Sequence, residues 1–441
     1  MGFFSSADKQ LWLLALPMIL SNITVPVLGL VDTAVIGHLD SAVYLGGVAV
    51  GTTATNLLFM LLLFLRMSTT GLTAQAYGAG NKPALARALV QPLLMAMIAG
   101  TVLLALKTPL TWLAVNVVGG NDQVLHQAAA FMHIRWISAP ATLANMVLLG
   151  WLLGVQYARA PVILLVIGNL VNILLDLWFV PVLGWGVRGA AAATVIAEYS
   201  TLGIGLVMVW HVLRLRGVAR QLLRRAWRGS YGYLLRLNRD IMLRSLMLQL
   251  CMASLTVIGA RLGSDIVAAN AVLLMFLTFT AYALDGFAYA VEACSGEAVG
   301  ARDPSRLLHV WHAACRQAGL LALLFSLLYF AAGSHIVALL TSLPAVQLQA
   351  GHFLGWQAIL PLAGVWCFLL DGMFIGATRA RDMRNSMAIA MLGFALTLLT
   401  IPLWGNHGLW LAVTVFLLLR GAALWWVWRR EWHHGRWFNY A

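Results

Sequence analysis

The stretch LGLVDTAVIGHLD, residues 28–40, ends an apolar run that starts near residue 11 and carries one acid inside it, Asp32. A helix that crosses the hydrocarbon core of a membrane needs roughly 20 mostly apolar residues. The run over residues 11–36 has that length. A carboxylate at the centre of such a helix costs roughly 2.5–3.5 kcal/mol on insertion scales, so we expect an acid kept there to have a function.

The rest of the chain repeats this apolar pattern. Of its 441 residues, 61% are hydrophobic and only 10% are charged, and the mean hydropathy is +0.86. This composition excludes an ordinary soluble domain. No small-residue cleavage site follows the first run, so we expect that run to remain in the chain. The predicted fold is an all-α polytopic membrane protein with twelve transmembrane helices, over residues 11–36, 46–68, 89–113, 126–153, 160–182, 188–212, 241–261, 267–293, 308–331, 350–375, 386–404 and 408–428.

An internal repeat organises these spans. Shifting the sequence by 222 residues places Val35, Ile36 and Gly37 on an identical Val-Ile-Gly at residues 257–259. The same offset matches the Gly, Ala and Arg at positions 154, 158 and 159 with those at 376, 380 and 381. Because the offset contains six spans, both copies start on the same side of the membrane, as parallel repeats do. We therefore predict two pseudo-symmetric six-helix lobes, residues 1–212 and 241–441, joined by an Arg-rich cytoplasmic linker, residues 213–240.

The net charge of +13 is concentrated in alternate loops, and the linker holds eight of the arginines. Positive residues favour cytoplasmic loops. We therefore predict a multi-pass protein of the cytoplasmic (inner) membrane with both termini and the linker in the cytoplasm. Anionic membrane lipid is the expected partner of this charge, and nucleic acid is not expected as a partner.

A polar stripe marks the N-terminal lobe. Asn169, Asn172 and Asp176 are spaced i, i+3 and i+7, which places them on one face of the fifth helix. The repeat offset sets Asp32 and Asp176 opposite a serine and a leucine, so the second lobe lacks these acids. If the two acids share one cavity, they titrate as a unit. The predicted proton-coupling residues are Asp32 and Asp176, and the predicted polar substrate cavity consists of Asn172, Thr194, Asn145 and Asn169.

Three intramembrane acids in the second lobe provide an alternative cation site. Asp285 and Glu292 are seven residues apart and share a helix face, and Asp371 lies in the tenth span. In the first lobe, Glu198 can pair with an arginine or extend its carboxylate to the membrane surface. Separately, Arg66 and Arg135 lie within the second and fourth spans, and either can neutralise an acid. The sequence does not show which acid either arginine meets.

Catalytic and metal-binding signatures are not found. The chain contains neither HExxH nor GxSxG, and its four cysteines lack ligand spacing. We therefore expect no enzyme activity, no bound metal and no cofactor. Two parallel repeats around a central cleft are typical of carriers that work by alternating access.

Three stretches resemble the multidrug and toxic compound extrusion (MATE) transporters. Residues 31–39, VDTAVIGHL, are similar to the first-helix signature of that family. Residues 150–161, GWLLGVQYARAP, and residues 371–387, DGMFIGATRARDMRNSM, resemble its DinF-like branch. The resemblance implies export of lipophilic, often cationic, small molecules in exchange for protons or sodium ions. It also implies that Asp32 is the protonation site and that Asn172, Asp176 and Thr194 form the polar cluster beside it. Separately, we expect the protein to be a monomer.

The predicted function is therefore secondary active multidrug efflux by proton antiport. A sodium-coupled antiporter would place its ion at Asp32 and Asp176 or at the acids of the second lobe. A flippase for lipid-linked precursors would need several cationic residues along its cavity. A membrane sensor or scaffold would tolerate a neutral residue in place of Asp32.

Overall fold

A computed structural model describes residues 5–39 and 41–439, which form helices and turns without any strand. The long helices are α1 (Ser6–Gly37), α2 (Ala42–Ala79), α3 (Lys82–Ala105), α4 (Asp122–Gly154), α5 (Arg159–Phe179), α6 (Gly186–Leu215), α7 (Gly232–Leu262), α8 (Ser264–Gly300), α9 (Pro304–Leu340), α10 (Pro344–Gly376), α11 (Ala380–Trp404) and α12 (Asn406–His433). Within the described residues, the eleven helices α2 to α12 are long and apolar enough to cross a membrane. With α1, which has 32 residues, they confirm the predicted class of twelve transmembrane helices.

Three of these helices change their hydrogen-bonding pattern part of the way along. In α4 a 3-10 turn, Trp136–Ser138, stands just before Pro140, and in α11 a 3-10 turn, Leu398–Thr400, stands just before Pro402. Proline lacks a backbone N–H, so the turn before it loses an α-helical hydrogen bond. The break in α2 at Leu62 has no proline, and the structure gives no reason for it.

The run predicted over residues 89–113 is split in the structure. Helix α3 ends at Ala105, and a separate helix, Lys107–Val118, follows it. Pro109 stands at the third position of this second helix, where its missing N–H has no intrahelical partner to lose. The twelve predicted spans therefore have the right order, but hydropathy alone did not locate this boundary.

The chain divides into two compact units, one of residues 20–234 and one of residues 1–19 with 235–441. The first unit contains the C-terminal half of α1 and helices α2 to α6. The second contains helices α7 to α12 and the N-terminal half of α1. The division into units falls at residues 19 and 234. The lobe limits at residues 212 and 240, which define a separate linker, remain predictions.

Specific contacts hold the N-terminal half of α1 in the second unit. The fully buried Asp8 accepts hydrogen bonds from Arg316 (2.9 Å) and Gln317 (3.2 Å) of α9. The indole N–H of Trp12 donates to the Gln317 side chain at 3.0 Å. The buried carboxylate of Asp8 is thus satisfied by several donors, one of which is the partly exposed Arg316, and these contacts hold this end of α1 against α9.

Two glycines in α4 allow a close helix crossing in the first unit. A Cβ atom on Gly150 would lie 2.6 Å from the Arg66 carbonyl oxygen of α2, and one on Gly154 would lie 2.6 Å from the Thr73 side chain. The hydroxyl of Thr70 donates to the Gly150 carbonyl at 3.2 Å. This is the small-residue packing that a GxxxG pair supports.

We expect Gly150→Ala to destabilise the protein by about 1–3 kcal/mol, because the clash is with backbone that cannot rotate away. The measurement is the thermal unfolding midpoint in detergent. The matched control is Gly203→Ala in α6, where a Cβ atom would meet nothing within 4 Å. The control should be neutral or stabilising by roughly 0.5–1 kcal/mol, as for glycine in an open helix position. Equal midpoints for the two variants would contradict the packing argument.

Candidate substrate and cation site

Helices α1 and α5 place two acids side by side in the first unit. The carboxyl groups of Asp32 in α1 and Asp176 in α5 are direct neighbours. Asp176 is completely buried, and Asp32 is half-buried. Both carboxyl oxygens of Asp176, and one of Asp32, lack a hydrogen-bond donor among the described residues. No lysine or arginine of residues 5–39 and 41–439 forms an ion pair with either acid.

This arrangement determines the charge that the pair can carry. Two neighbouring carboxyl groups without a paired cation repel each other when both are ionised, so the ionisation of one disfavours the ionisation of the other. Their protonation is therefore a property of the pair. The pair is suited to bind a cation, either a proton or another small ion.

Two contacts connect α1 with α5 in the same order along both helices. The amide of Asn169 donates to the Thr24 hydroxyl at 2.6 Å, and Asp176 meets Asp32 two turns further on. The contacts are eight residues apart in α1 and seven apart in α5, so the two helices run parallel. Successive membrane spans alternate in direction, so the first and fifth spans are expected to be parallel, and their packing brings Asn169 into the same interface as the acids.

A third helix adds a polar wall. The amide nitrogen of Asn172 donates to the Thr194 hydroxyl of α6 at 3.3 Å, and that hydroxyl donates to the Ala190 carbonyl at 3.2 Å. The side-chain oxygen of Asn172 is buried without a donor in the described part of the chain. Since Asn172 and Asp176 are i, i+4 neighbours on α5, this oxygen and the acid pair belong to one polar group. The structure thus brings together Asp32, Asp176, Asn172, Thr194 and Asn169.

Asn145 belongs to a second polar group. Its amide donates to both the backbone carbonyl and the carboxylate of Glu198, each at 3.0 Å. Glu198 is the acid whose charge acts on Arg135, which is buried in α4 and lies 4.9 Å from the Phe59 ring centroid. Arg135 also donates to the Ser138 hydroxyl. Arg135 and Glu198 form no ion pair among the described residues, so Glu198 acts on Arg135 through its charge and not through a direct contact.

The acids of the second unit have a different environment. One carboxylate oxygen of Asp371 accepts from Arg244 at 2.5 Å and from Arg420 at 2.6 Å, and all three residues are buried. Asp285 adds a second negative charge beside Arg420. Glu292 is buried on the same helix as Asp285. The negative charge of Asp371 is thus already compensated within the unit.

Sequence reasoning missed Arg244 and Arg420 as partners of Asp371. The signal was available in part, since the repeat offset sets Arg420 opposite Glu198 and so places a cation where the first lobe has an acid. Within the described residues, no group of three or more His, Cys, Asp or Glu side chains is arranged to hold a metal ion.

Comparisons with known proteins agree with this architecture. A family model described as MatE matches residues 17–178 and 241–403, two segments that repeat with nearly the predicted offset. The chain is 69% identical over 438 residues to DNA damage-inducible protein F of Escherichia coli (strain K12), covering 99% of this chain and 95% of the relative. It is 28% identical over 455 residues to a probable multidrug resistance protein NorM of Deinococcus radiodurans, covering 94% of each.

A solved structure has the same fold. The crystal structure described as MATE in complex with MaL6 gives a TM-score of 0.84 at 19% identity and covers 97% of both chains. The family that the three sequence stretches resemble, and its DinF-like branch, are thereby confirmed. The chain belongs to the MatE family, the multidrug and toxic compound extrusion transporters.

Proposed function

We propose that this transporter exports lipophilic cations in exchange for protons, with Asp32 and Asp176 as the proton-binding pair. The observation that carries the proposal is the uncompensated charge of this pair, which has no arginine or lysine partner in the described part of the chain. The acid of the second unit at position 371 has two arginine partners instead. An added proton or cation is therefore stabilised more strongly at this pair than at Asp371, whose charge is already balanced.

The exchange follows from competition for one negative charge. With one acid ionised, the polar group attracts a cationic substrate that enters from the cytoplasm. A proton arriving from outside neutralises the pair, weakens that attraction and allows α1 to repack against α5 and α6. A ligand shifts a two-state equilibrium only through its different affinity for the two states. Here the protonation state of Asp32 and Asp176 provides that difference.

A second candidate is sodium coupling at the same place. Besides the acid pair, the buried side-chain oxygen of Asn172 lacks a donor among the described residues, and Thr194 supplies a further oxygen. Hard cations such as sodium are bound by oxygen ligands of this kind. Asp371 in the second unit is less suitable, because two guanidinium groups already donate to its carboxylate. The sodium and proton proposals thus share one site.

Efflux from proteoliposomes distinguishes the two ions. A fluorescent lipophilic cation is loaded, and its release is followed under an imposed proton gradient at constant membrane potential, with sodium and with choline as the only other cation. We expect equal rates in both salts and no release under a sodium gradient at uniform pH. Release driven by sodium at uniform pH would replace the proton proposal with sodium coupling.

Other expectations belong to the same proposal. We place the protein in the inner membrane as a monomer, with its arginine-rich loops and both termini in the cytoplasm. A lipid-linked precursor flippase is disfavoured, because it would need several free cationic residues along its cavity, whereas the buried Arg135 already donates to Ser138 and lies over the Phe59 ring. Small molecules are the expected substrates, as the relatives described as multidrug resistance proteins suggest.

A further inference from the structure

The segment after α6 is a folded part of the first unit. It includes a short helix, Arg220–Arg225, whose Leu222 and Leu223 pack with Leu85 and Leu89 of α3. The side-chain amide of Gln91 in α3 donates to the carbonyls of Ala226 and Arg228, both at 3.3 Å. These contacts hold the segment against the end of α3, so the positions of its exposed side chains are defined.

The segment carries a positive charge that no carboxylate balances. Residues 199–239 contain eight arginines and no Asp or Glu. Arg216 has a structural role, since it donates to the Val155 carbonyl at 2.8 Å and stacks on Tyr77. Arg224, Arg225 and Arg228 are exposed, and within residues 20–39 and 41–234 none of them pairs with an acid.

Exposed aromatic rings alternate with these arginines. Trp210 has Arg214 and Arg220 at 5.3 and 5.0 Å from its ring centroid, and Trp227 has Arg228 at 5.3 Å. Trp227 is 52% exposed. Tryptophan beside arginine at the end of a transmembrane helix is typical of the level of the lipid headgroups. We call the group Arg220, Arg224, Arg225, Trp227 and Arg228 the linker surface.

We propose that the linker surface binds the headgroups of anionic phospholipids. Guanidinium groups pair with phosphate by two parallel hydrogen bonds, and the exposed indole rings sit among glycerol and acyl groups. A soluble anion would use the arginines but not the tryptophans, and the position of Trp210 near the end of the transmembrane helix α6 favours lipid over nucleic acid. The partner is therefore a lipid of the leaflet that α6 meets at its C-terminal end.

The test uses the full-length protein in detergent and follows its thermal unfolding midpoint as phosphatidylglycerol is added. Parallel titrations use phosphatidylcholine, inorganic phosphate and a short RNA. The test variant is Arg224→Gln with Arg225→Gln and Arg228→Gln. The matched control removes three exposed arginines of the second unit that lie over no tryptophan ring of the described residues, by Arg261→Gln, Arg302→Gln and Arg381→Gln.

We expect phosphatidylglycerol to raise the midpoint of the parent and the control, and the test variant to need roughly 100-fold more lipid for the same shift. Raising the salt from about 0.05 M to about 0.5 M should weaken the effect on the parent, because exposed charges are screened. Phosphatidylcholine, phosphate and RNA should have little effect.

Several results would overturn the proposal. They are an unchanged lipid requirement in the test variant, an equal loss in the control, or a shift with phosphatidylcholine as large as with phosphatidylglycerol. A shift produced by RNA or by free phosphate would replace the lipid with those ligands. If the test variant fails to fold, the parent alone tests the proposal through the salt dependence of its unfolding midpoint. A shift by phosphatidylglycerol that persists at high salt would contradict headgroup binding by exposed arginines.

Discussion

Asp32→Asn should reduce proton-driven efflux at least tenfold, to near the leak rate of liposomes without protein. Asparagine has nearly the same shape as aspartic acid but cannot gain or lose a proton. With Asp32 replaced, Asp176 is the one acid left in the site, and it is completely buried without a donor among the described residues. Burial favours the neutral form of a carboxyl group, so the site no longer changes its charge between the two states. The proton then no longer binds one conformation more tightly than the other, so a proton gradient cannot shift the equilibrium between the two conformations. The measurement is efflux of a fluorescent lipophilic cation from proteoliposomes under an imposed proton gradient.

The control for this prediction is Asp122→Asn. Asp122 is exposed in the first turn of α4, so the control removes one acid without touching the pair. Substrate binding and the unfolding midpoint of both variants should be measured as well, to separate lost coupling from lost folding. If Asp32→Asn folds and still exports in response to the proton gradient, the coupling site lies elsewhere, and Asp285, Glu292 and Asp371 become the residues to replace.

Asp371→Ala should destabilise the protein by about 3–5 kcal/mol, because it leaves buried guanidinium groups without their shared acceptor. Arg244 and Arg420 both donate to the same oxygen of Asp371 and are both buried. Breaking a buried pair by removing one partner is more harmful than removing the whole group. The measurement is the free energy of unfolding, obtained from a denaturant titration in detergent where unfolding is reversible.

Asp265→Ala serves as the control for this second prediction. Asp265 is exposed in the first turn of α8, and its loss should change the free energy of unfolding by less than about 1 kcal/mol. Combining Asp371→Ala with Arg244→Gln should recover part of the loss, since residues in one network are not additive. If Asp371→Ala is as stable as the control, the acid is not held by the two arginines, and a cation role for it would regain support.

Local features of the sequence were sufficient for the architecture. An apolar run long enough to cross a membrane is a property of consecutive residues, so composition predicts the spans. The offset that aligns Val35, Ile36 and Gly37 with residues 257–259 predicts the doubled arrangement, and the family model matches both copies. The high energetic cost of a charged group in lipid singled out Asp32 and Asp176 from their context alone.

Which polar groups meet was decided by the tertiary structure. Nothing in the spacing of residues shows that Asn145 bonds Glu198, 53 residues away, or that Asp371 lies between Arg244 and Arg420. Pairing between helices depends on how far each is rotated and tilted, and close contacts such as Gly150 against the Arg66 backbone set those angles. Helical periodicity shows which residues share a face, whereas packing determines which faces meet. The sequence by itself therefore determined the twelve helices, the repeat and the acids within them, and the packing of the helices decided that Asp32 and Asp176 meet while Asp371 pairs with arginine.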